Sequence, residues 1–384
     1  MNAEALERVR RRLVDTGAPP GRAAIAALVR QDAGGLAGHG QVLDLVREAE
    51  SELAGAGPLQ PLLQQPGVTD VLVNAPDSVW VDRGAGLQRS AVRFPSEAAV
   101  RGLAQRLAAA AGRRLDDASP YVDAALPDGT RLHAVLPPVA PGGTCLSLRT
   151  FTAKAFTIAE LEAAGTLRRG AAGLLWAIIR ARAAFLVSGG TGSGKTTLLA
   201  SMLGLVDPAE RLILVEDAPE LRPAHPHVVR LTARPANVEG AGEVSLRDLV
   251  RQALRMRPDR LVVGEVRGGE VVELLTALNT GHAGSSGTLH ANSAGQLPAR
   301  LEALGALGRL DRHAVRSQVA AALQVAIHLD RLPDGHRVLA EIGVFRRDGE
   351  EMRVVPAWRH DAGPVDAWAD LARILEPHLE RSGP

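Results

Sequence analysis

The sequence predicts an α/β protein: a mostly parallel sheet with helices on both faces, preceded by a smaller mixed α/β domain and a short helical N-terminal region. Three observations predict it. The apolar period changes from three or four residues to two after Gly57-Pro58. From Phe156 onward, short β-rich runs alternate with helix-compatible runs. Between one such strand and helix stands Gly189-Gly190-Thr191-Gly192-Ser193-Gly194-Lys195-Thr196, which fits G-x-x-x-x-G-K-[ST] without a mismatch.

Taken in order, residues 1–55 read as two or three short helices, because Leu6, Val9, Leu13 and then Val42, Leu45, Val46, Ala49 and Leu53 recur at helical spacing. Pro19-Pro20-Gly21 and Gly34-Gly35 interrupt them. In residues 56–152 the strands are Thr69–Asn74, Ser78–Asp82, Leu87–Phe94, Tyr121–Leu126, Thr130–Leu136 and Thr144–Arg149. One helix, Ser96–Ala111, lies between them, with Ser96 as N-cap, Glu97 in the first turn and Gly112 at the end. In the remainder, strands are expected at Ala184–Ser188, Arg211–Glu216, His227–Leu231, Arg260–Gly264 and Ser286–His290. Helices are expected at Thr196–Leu205, Ser245–Met256, Glu270–Thr280 and Ala294–Leu304. The strand runs Gln324–Asp330, Arg337–Phe345 and Met352–Val355 close the domain.

The glycine-rich octapeptide is where chemistry enters. Glycines let the backbone curl so that successive N–H groups face an anion, and the helix that follows adds partial positive charge. Lys195 reaches the β- and γ-phosphates and the Thr196 hydroxyl serves Mg²⁺. Lys154 and Lys195 are the only lysines in an arginine-rich chain, so a compact, flexible ammonium has been kept where a triphosphate needs one. These residues predict binding of ATP with Mg²⁺.

Hydrolysis also needs a carboxylate near the metal, a way to polarise water, and cations on the γ-phosphate. The strand Arg260–Gly264 runs into Glu265, and Leu212–Val215 runs into Glu216-Asp217. In a parallel sheet both strands finish on the edge that carries the loop, so both acids can face one site. Alone, each is an ordinary strand-end acid. His282 and His290 flank the small-residue stretch Ala283–Leu289 and are either phosphate-facing or simply satisfied imidazoles. His225-Pro226-His227 has no further ligand cluster beside it and is not expected to hold metal.

Composition excludes several classes. With 44 Lys+Arg against 43 Asp+Glu in 384 residues the net charge is +1, and no bulk charge calls for nucleic acid. The single cysteine, Cys145, rules out an internal disulfide framework or a four-thiolate zinc site. The acidic N-terminus is no signal peptide, and Arg180 and Arg182 break the most apolar stretch, Ala171–Gly189. A cytoplasmic protein is expected.

Several segments together resemble the secretion ATPase superfamily: Gly189–Thr197, Val215–Leu221, Met256–Gly268 and Asn279–Ser293. The first α/β domain continues the likeness at Gly57-Pro58-Leu59, Val68–Asn74, Leu126–Arg131 and Leu148–Phe151. Within the superfamily the chain is most similar to the TadA/CpaF-like tight-adherence (Flp) pilus ATPases, and a single cysteine, which excludes a four-cysteine zinc insertion, points to that group or to the conjugative ATPases. The resemblance implies a RecA-like P-loop motor domain over residues 158–384, a PAS-like domain over 56–152 and a hinge at 153–157. It places Glu216 in an aspartate box, makes Glu265 the Walker B acid, and puts His282 and His290 in a histidine box. Arg267, Thr197 and the loop residues would hold nucleotide. Arg131 and Arg149 would approach the γ-phosphate from the first α/β domain, with Thr196, Glu216 and Glu265 about the metal. It further implies a homo-hexamer, peripheral at the inner face of the cell membrane, working on platform proteins of a pilus or secretion system.

The alternatives are a conjugation or type IV secretion ATPase, a RecA-like nucleic-acid motor, and a non-hydrolysing ATP switch. A near-neutral charge and 3% aromatic content argue against direct contact with nucleic acid.

Overall fold

In the computed structural model, residues 8–9, 11–12, 15, 22–32, 39–53, 55–84, 86–150, 155–234, 236 and 241–379 are described. The chain divides into two compact units, Met1–Thr152 and Ala153–Pro384. Of the expected hinge, residues 153–154 lie outside the described residues, as do Leu6 and Leu13.

In the first unit, helices Arg22–Asp32 and His39–Leu53 share a small core of Ile25, Val29, Val46 and Ala49 with Val9. Six antiparallel strands follow: β1 (Asp70–Ala75), β2 (Ser78–Asp82), β3 (Leu87–Arg89), β4 (Tyr121–Ala125), β5 (Arg131–Val135) and β6 (Cys145–Arg149). Their order is β3-β2-β1-β6-β5-β4. Alternation sorts the two faces: Val71, Val73, Leu132, Ala134, Leu146 and Leu148 are buried with Val100, Leu103 and Leu107 of helix Glu97–Ala110. Ser96 caps that helix, its hydroxyl accepting from Ala99 N. The third strand stops at Arg89, short of the expected Phe94; Phe94 is instead buried in the core.

The second unit is built on a nine-stranded sheet, β15-β14-β13-β12-β7-β11-β10-β8-β9. Here β7 is Phe185–Gly189, β8 Leu212–Glu216, β9 Val228–Thr232, β10 Arg260–Val266, β11 Ser286–His290 and β12 Val325–Arg331. These six pair in parallel; β13 (Arg337–Asp348), β14 (Glu351–Arg359) and β15 (Gly363–Pro364) add antiparallel strands beyond β12.

Both faces are covered, so the central strands are apolar without a break. Phe185 and Val187 of β7 pack with Leu212 and Leu214 of β8 and with helices Ala171–Arg180, Lys195–Leu203 and Trp368–Leu379. Their alternates Leu186, Ile213 and Val215 pack on the other side with helices Leu246–Ala253, Val271–Asn279, Leu297–Leu307 and Arg312–Ala322. Each such Leu, Ile or Phe contributes roughly 1.5–3 kcal/mol on burial, which holds the strand ends at fixed heights. The apolar stretch 171–189 resolves into a core helix and β7. Helices Ile158–Ala163, Arg312–Ala322 and Trp368–Leu379 were not anticipated from the sequence.

Candidate nucleotide-binding site

The octapeptide joins β7 to helix Lys195–Leu203. Gly189 (φ +152°), Gly192 (φ +72°) and Gly194 (φ +96°) take backbone angles that L side chains rarely adopt. A Cβ on Gly189 would stand 2.4 Å from the Leu329 carbonyl oxygen and 2.5 Å from Ser193 Oγ, so close approach also demands glycine there. Gly190, Thr191 and Gly192 are exposed, and Thr196 and Thr197 are half-buried in the first helical turn. Ser193 Oγ is buried in the loop without a hydrogen-bond partner, an orphaned donor of the kind a phosphate oxygen satisfies.

Lys195 is 7% exposed and its Nζ donates to the carbonyls of Gly189 (3.0 Å) and Gly190 (2.7 Å). Burial pulls its pKa down, against the attraction of Glu265. Across from it, His290 Nδ1 lies 3.3 Å from Lys195 Nζ, and His290 Nε2 lies 2.8 Å from Glu265 Oε1. Arg267 donates to Glu265 Oε2. Burial, and then the Lys195 charge, push the His290 pKa below its ordinary value. A neutral ring suits the ammonium, from which Nδ1 accepts a hydrogen bond, while the Nε2–Glu265 Oε1 contact lies outside hydrogen-bond geometry. Lys195, His290, Glu265 and Arg267 thus cluster beside the loop, with Glu265 Oε1 close to His290 yet left without a hydrogen bond.

A bulge aims Glu265. Val263 pairs with Gly287 but Val266 pairs with Leu289, so β10 fits one extra residue against β11. Leu261, Val263 and Val266 therefore all reach the same core, and Glu265 is released from the face that strict alternation would give it. Gly264 has a second purpose. A Cβ there would lie 2.7 Å from Glu216 Cγ, so the missing side chain makes room for the acid at the end of β8.

Glu216 is 3% exposed, and its Oε1 accepts from the N–H groups of Glu220 (3.0 Å) and Leu221 (2.8 Å). Burial pushes its pKa up to about 7; the two N–H groups oppose the rise and the neighbouring Glu220 adds to it. A buried carboxyl poised near neutrality is the type of group that handles protons in catalysis. Thr196, Glu216 and Glu265 offer hard oxygen donors only, which suits Mg²⁺ shared with substrate phosphates. Among the described residues, no group of three or more His, Cys, Asp or Glu side chains could enclose a metal by itself.

The structure separates His282 from this group. β11 has its C-terminal His290 opposite Gly189, whereas His282 precedes the N-terminal end of that strand. Its Nδ1 contacts the Ala277 carbonyl at 3.2 Å, at the end of helix Val271–Asn279. A strand of this length spans more than 10 Å, so the expectation that both histidines serve one phosphate fails for His282. Two imidazoles flanking a strand sit at opposite edges of the sheet.

Arg131 and Arg149 belong to the first unit. They stand directly opposite one another on β5 and β6. Arg131 pairs with Asp123 (3.1 Å) and Arg149 with Asp70 (2.8 Å). Their face is the one turned away from the buried Leu132 and Leu148, and each guanidinium is held by a carboxylate of its own sheet.

A family model described as type II/IV secretion system protein matches residues 52–346. A Mycobacterium tuberculosis protein whose name provisionally assigns it to conjugal transfer is 61% identical over 323 residues, 83% of this chain and 92% of that protein. The Bordetella pertussis type IV secretion system protein PtlH is 30% identical over 334 residues, 80% of this chain and 94% of that protein. Among solved structures, the Legionella pneumophila ATPase DotB shares the fold at a TM-score of 0.51 and 20% identity, over 76% of this chain and 80% of that one.

Proposed function

We propose, since this chain belongs to the family of type II/IV secretion ATPases, that it hydrolyses ATP with Mg²⁺ to drive a secretion or conjugation machine at the membrane. The observation that carries the reading is the cluster of Lys195, His290 and Glu265 against the phosphate loop, where Ser193 Oγ and Glu265 Oε1 are both buried without a hydrogen-bond partner. The glycine-lined loop and Lys195 hold the β- and γ-phosphates; Lys195 would exchange its bonds to the Gly189 and Gly190 carbonyls for bonds to phosphate oxygens. Thr196 and the strand-end acids would hold Mg²⁺, whose chemistry there would be to offset phosphate charge. Glu265, held by Arg267 through Oε2 and with Oε1 unpartnered, orients the attacking water, and Glu216 accepts or returns a proton.

The RecA-like and PAS-like assignments, the homo-hexamer and the hinge at 153–157 are part of this proposal. So is a place at the inner face of the membrane against platform proteins. Among the described residues no helix is long and apolar enough to cross a membrane. Arg131 and Arg149 are the cations expected to complete the site on domain closure, once freed from Asp123 and Asp70. The names of the two curated relatives support a conjugal or type IV secretion cargo, while a tight-adherence pilus rests on the motif resemblance.

Phosphate release by the Lys195→Ala and Glu265→Gln variants tests the core of the proposal. Lys195→Ala is expected to lose turnover, and Glu265→Gln to bind ATP with near-normal affinity while losing turnover. Wild-type rates in either variant would defeat the mechanism.

A further inference from the structure

The β12–β13 hairpin carries cations that neither the phosphate-loop motif nor the strand-end acids predict. β12 runs parallel to β7 with Leu329 opposite Gly189, so its last residues pass alongside the phosphate loop on the flank away from β11. Arg331 ends β12 and Arg337 begins β13, directly opposite one another. Arg337 Nε donates to the Gly192 carbonyl at 2.8 Å, and its Cδ lies 3.3 Å from where a Cβ of Gly194 would stand. Arg331 Nη1 lies 3.8 Å from the corresponding point at Gly192. The two glycines therefore have a use besides their positive φ: they leave room for two guanidinium side chains against the loop. The Arg337 contact uses Nε only, and the exposed side chain keeps Nη1 and Nη2 for an anion.

Strand order makes the two flanks of the loop chemically different. On one side β11 and β8 end in His290 and Glu216, and β10 carries Glu265 one residue before its end. On the other, β12 and β13 supply Arg331 and Arg337. The metal and the transferred phosphoryl belong beside the acids. Cations on the far flank fit the phosphates that stay with the nucleoside.

We propose that Arg337, assisted by Arg331, binds the α- and β-phosphates of the nucleotide, from the same unit as the phosphate loop. This rests on the nucleotide-site reading above and adds to it a cation that acts on ADP as much as on ATP. The test is equilibrium binding of ATP, ADP and AMP with Mg²⁺ to the full chain, comparing wild type, Arg337→Ala and Arg337→Lys. Arg337→Ala is expected to weaken ADP and ATP by the same factor, about tenfold for one charge-assisted hydrogen-bonding group. AMP should change much less, KM should rise more than kcat falls, and Arg337→Lys should recover part of the affinity. An ADP affinity unchanged in Arg337→Ala would overturn the proposal, and so would a loss confined to ATP, which would put the guanidinium on the γ-phosphate. Equal weakening of AMP would confine Arg337 to the α-phosphate or to support of the loop, and would overturn the contact with both phosphates. A wild-type chain that binds neither ADP nor ATP would remove the nucleotide reading itself, an outcome distinct from normal binding untouched by Arg337→Ala.

Discussion

Replacing Glu216 by glutamine turns the burial of that acid into a pH-dependent stability difference. The carboxyl is 3% exposed, and its pKa rises from 4.5 to about 7, chiefly because burial penalises the charged form. Between those two values the native state keeps a proton that the unfolded chain has released. The native form therefore binds more protons, so unfolding free energy falls as pH rises from about 4.5 to about 7 and levels off above. The shift amounts to roughly 3 kcal/mol. The side-chain amide of Glu216→Gln would retain an acceptor for the Glu220 and Leu221 N–H groups but cannot ionise. The variant should match wild type near pH 5 and exceed it by up to roughly 3 kcal/mol at pH 8, several degrees in melting temperature for a domain of this size. Thermal and urea unfolding of both proteins at pH 5, 6, 7 and 8, without nucleotide or magnesium, measures it. All other titrating groups are common to the pair and cancel in the difference. A stability gap that does not change with pH, or a variant weaker than wild type at pH 8, would refute the claim that Glu216 carries a burial penalty.

Two further outcomes follow from the geometry. Gly264→Ala places a Cβ 2.7 Å from Glu216 Cγ inside a packed sheet; it should destabilise the protein by about 1–3 kcal/mol in urea unfolding and depress turnover, and a loss under about 0.5 kcal/mol would count against the close packing. His290→Ala removes the hydrogen bond between Lys195 and His290; kcat should fall about 10- to 100-fold, the worth of one charge-assisted hydrogen bond, and an unchanged kcat would make His290 a bystander.

The phosphate loop was legible because its chemistry is local: glycine angles, a helix start and Lys195 all fall within eight consecutive residues. Most central strands were legible for a similar reason, since a sheet covered on both faces leaves unbroken apolar runs such as Leu212–Val215 and Leu261–Val263. The acids at the strand ends followed from parallel pairing alone. The helix Trp368–Leu379 was harder to foresee, because its buried Leu371 and Leu375 answer to a face of the sheet built from distant segments.

Side-chain direction at the site was decided only by tertiary structure. Motif order brackets His282 and His290 together, yet the strand between them carries one to the loop edge and leaves the other at the opposite edge. The bulge at Gly264-Glu265 exists because β10 must fit against β11, and no pattern within β10 announces it. Arg337 meets Gly192 across 145 positions of chain because β12 happens to neighbour β7. Amino-acid order alone was enough to specify the loop that grips an anion, since those contacts are made by neighbouring residues. Which acids, imidazoles and guanidiniums surround it depended on strand order and register, which arise only when segments far apart in the chain pack against one another.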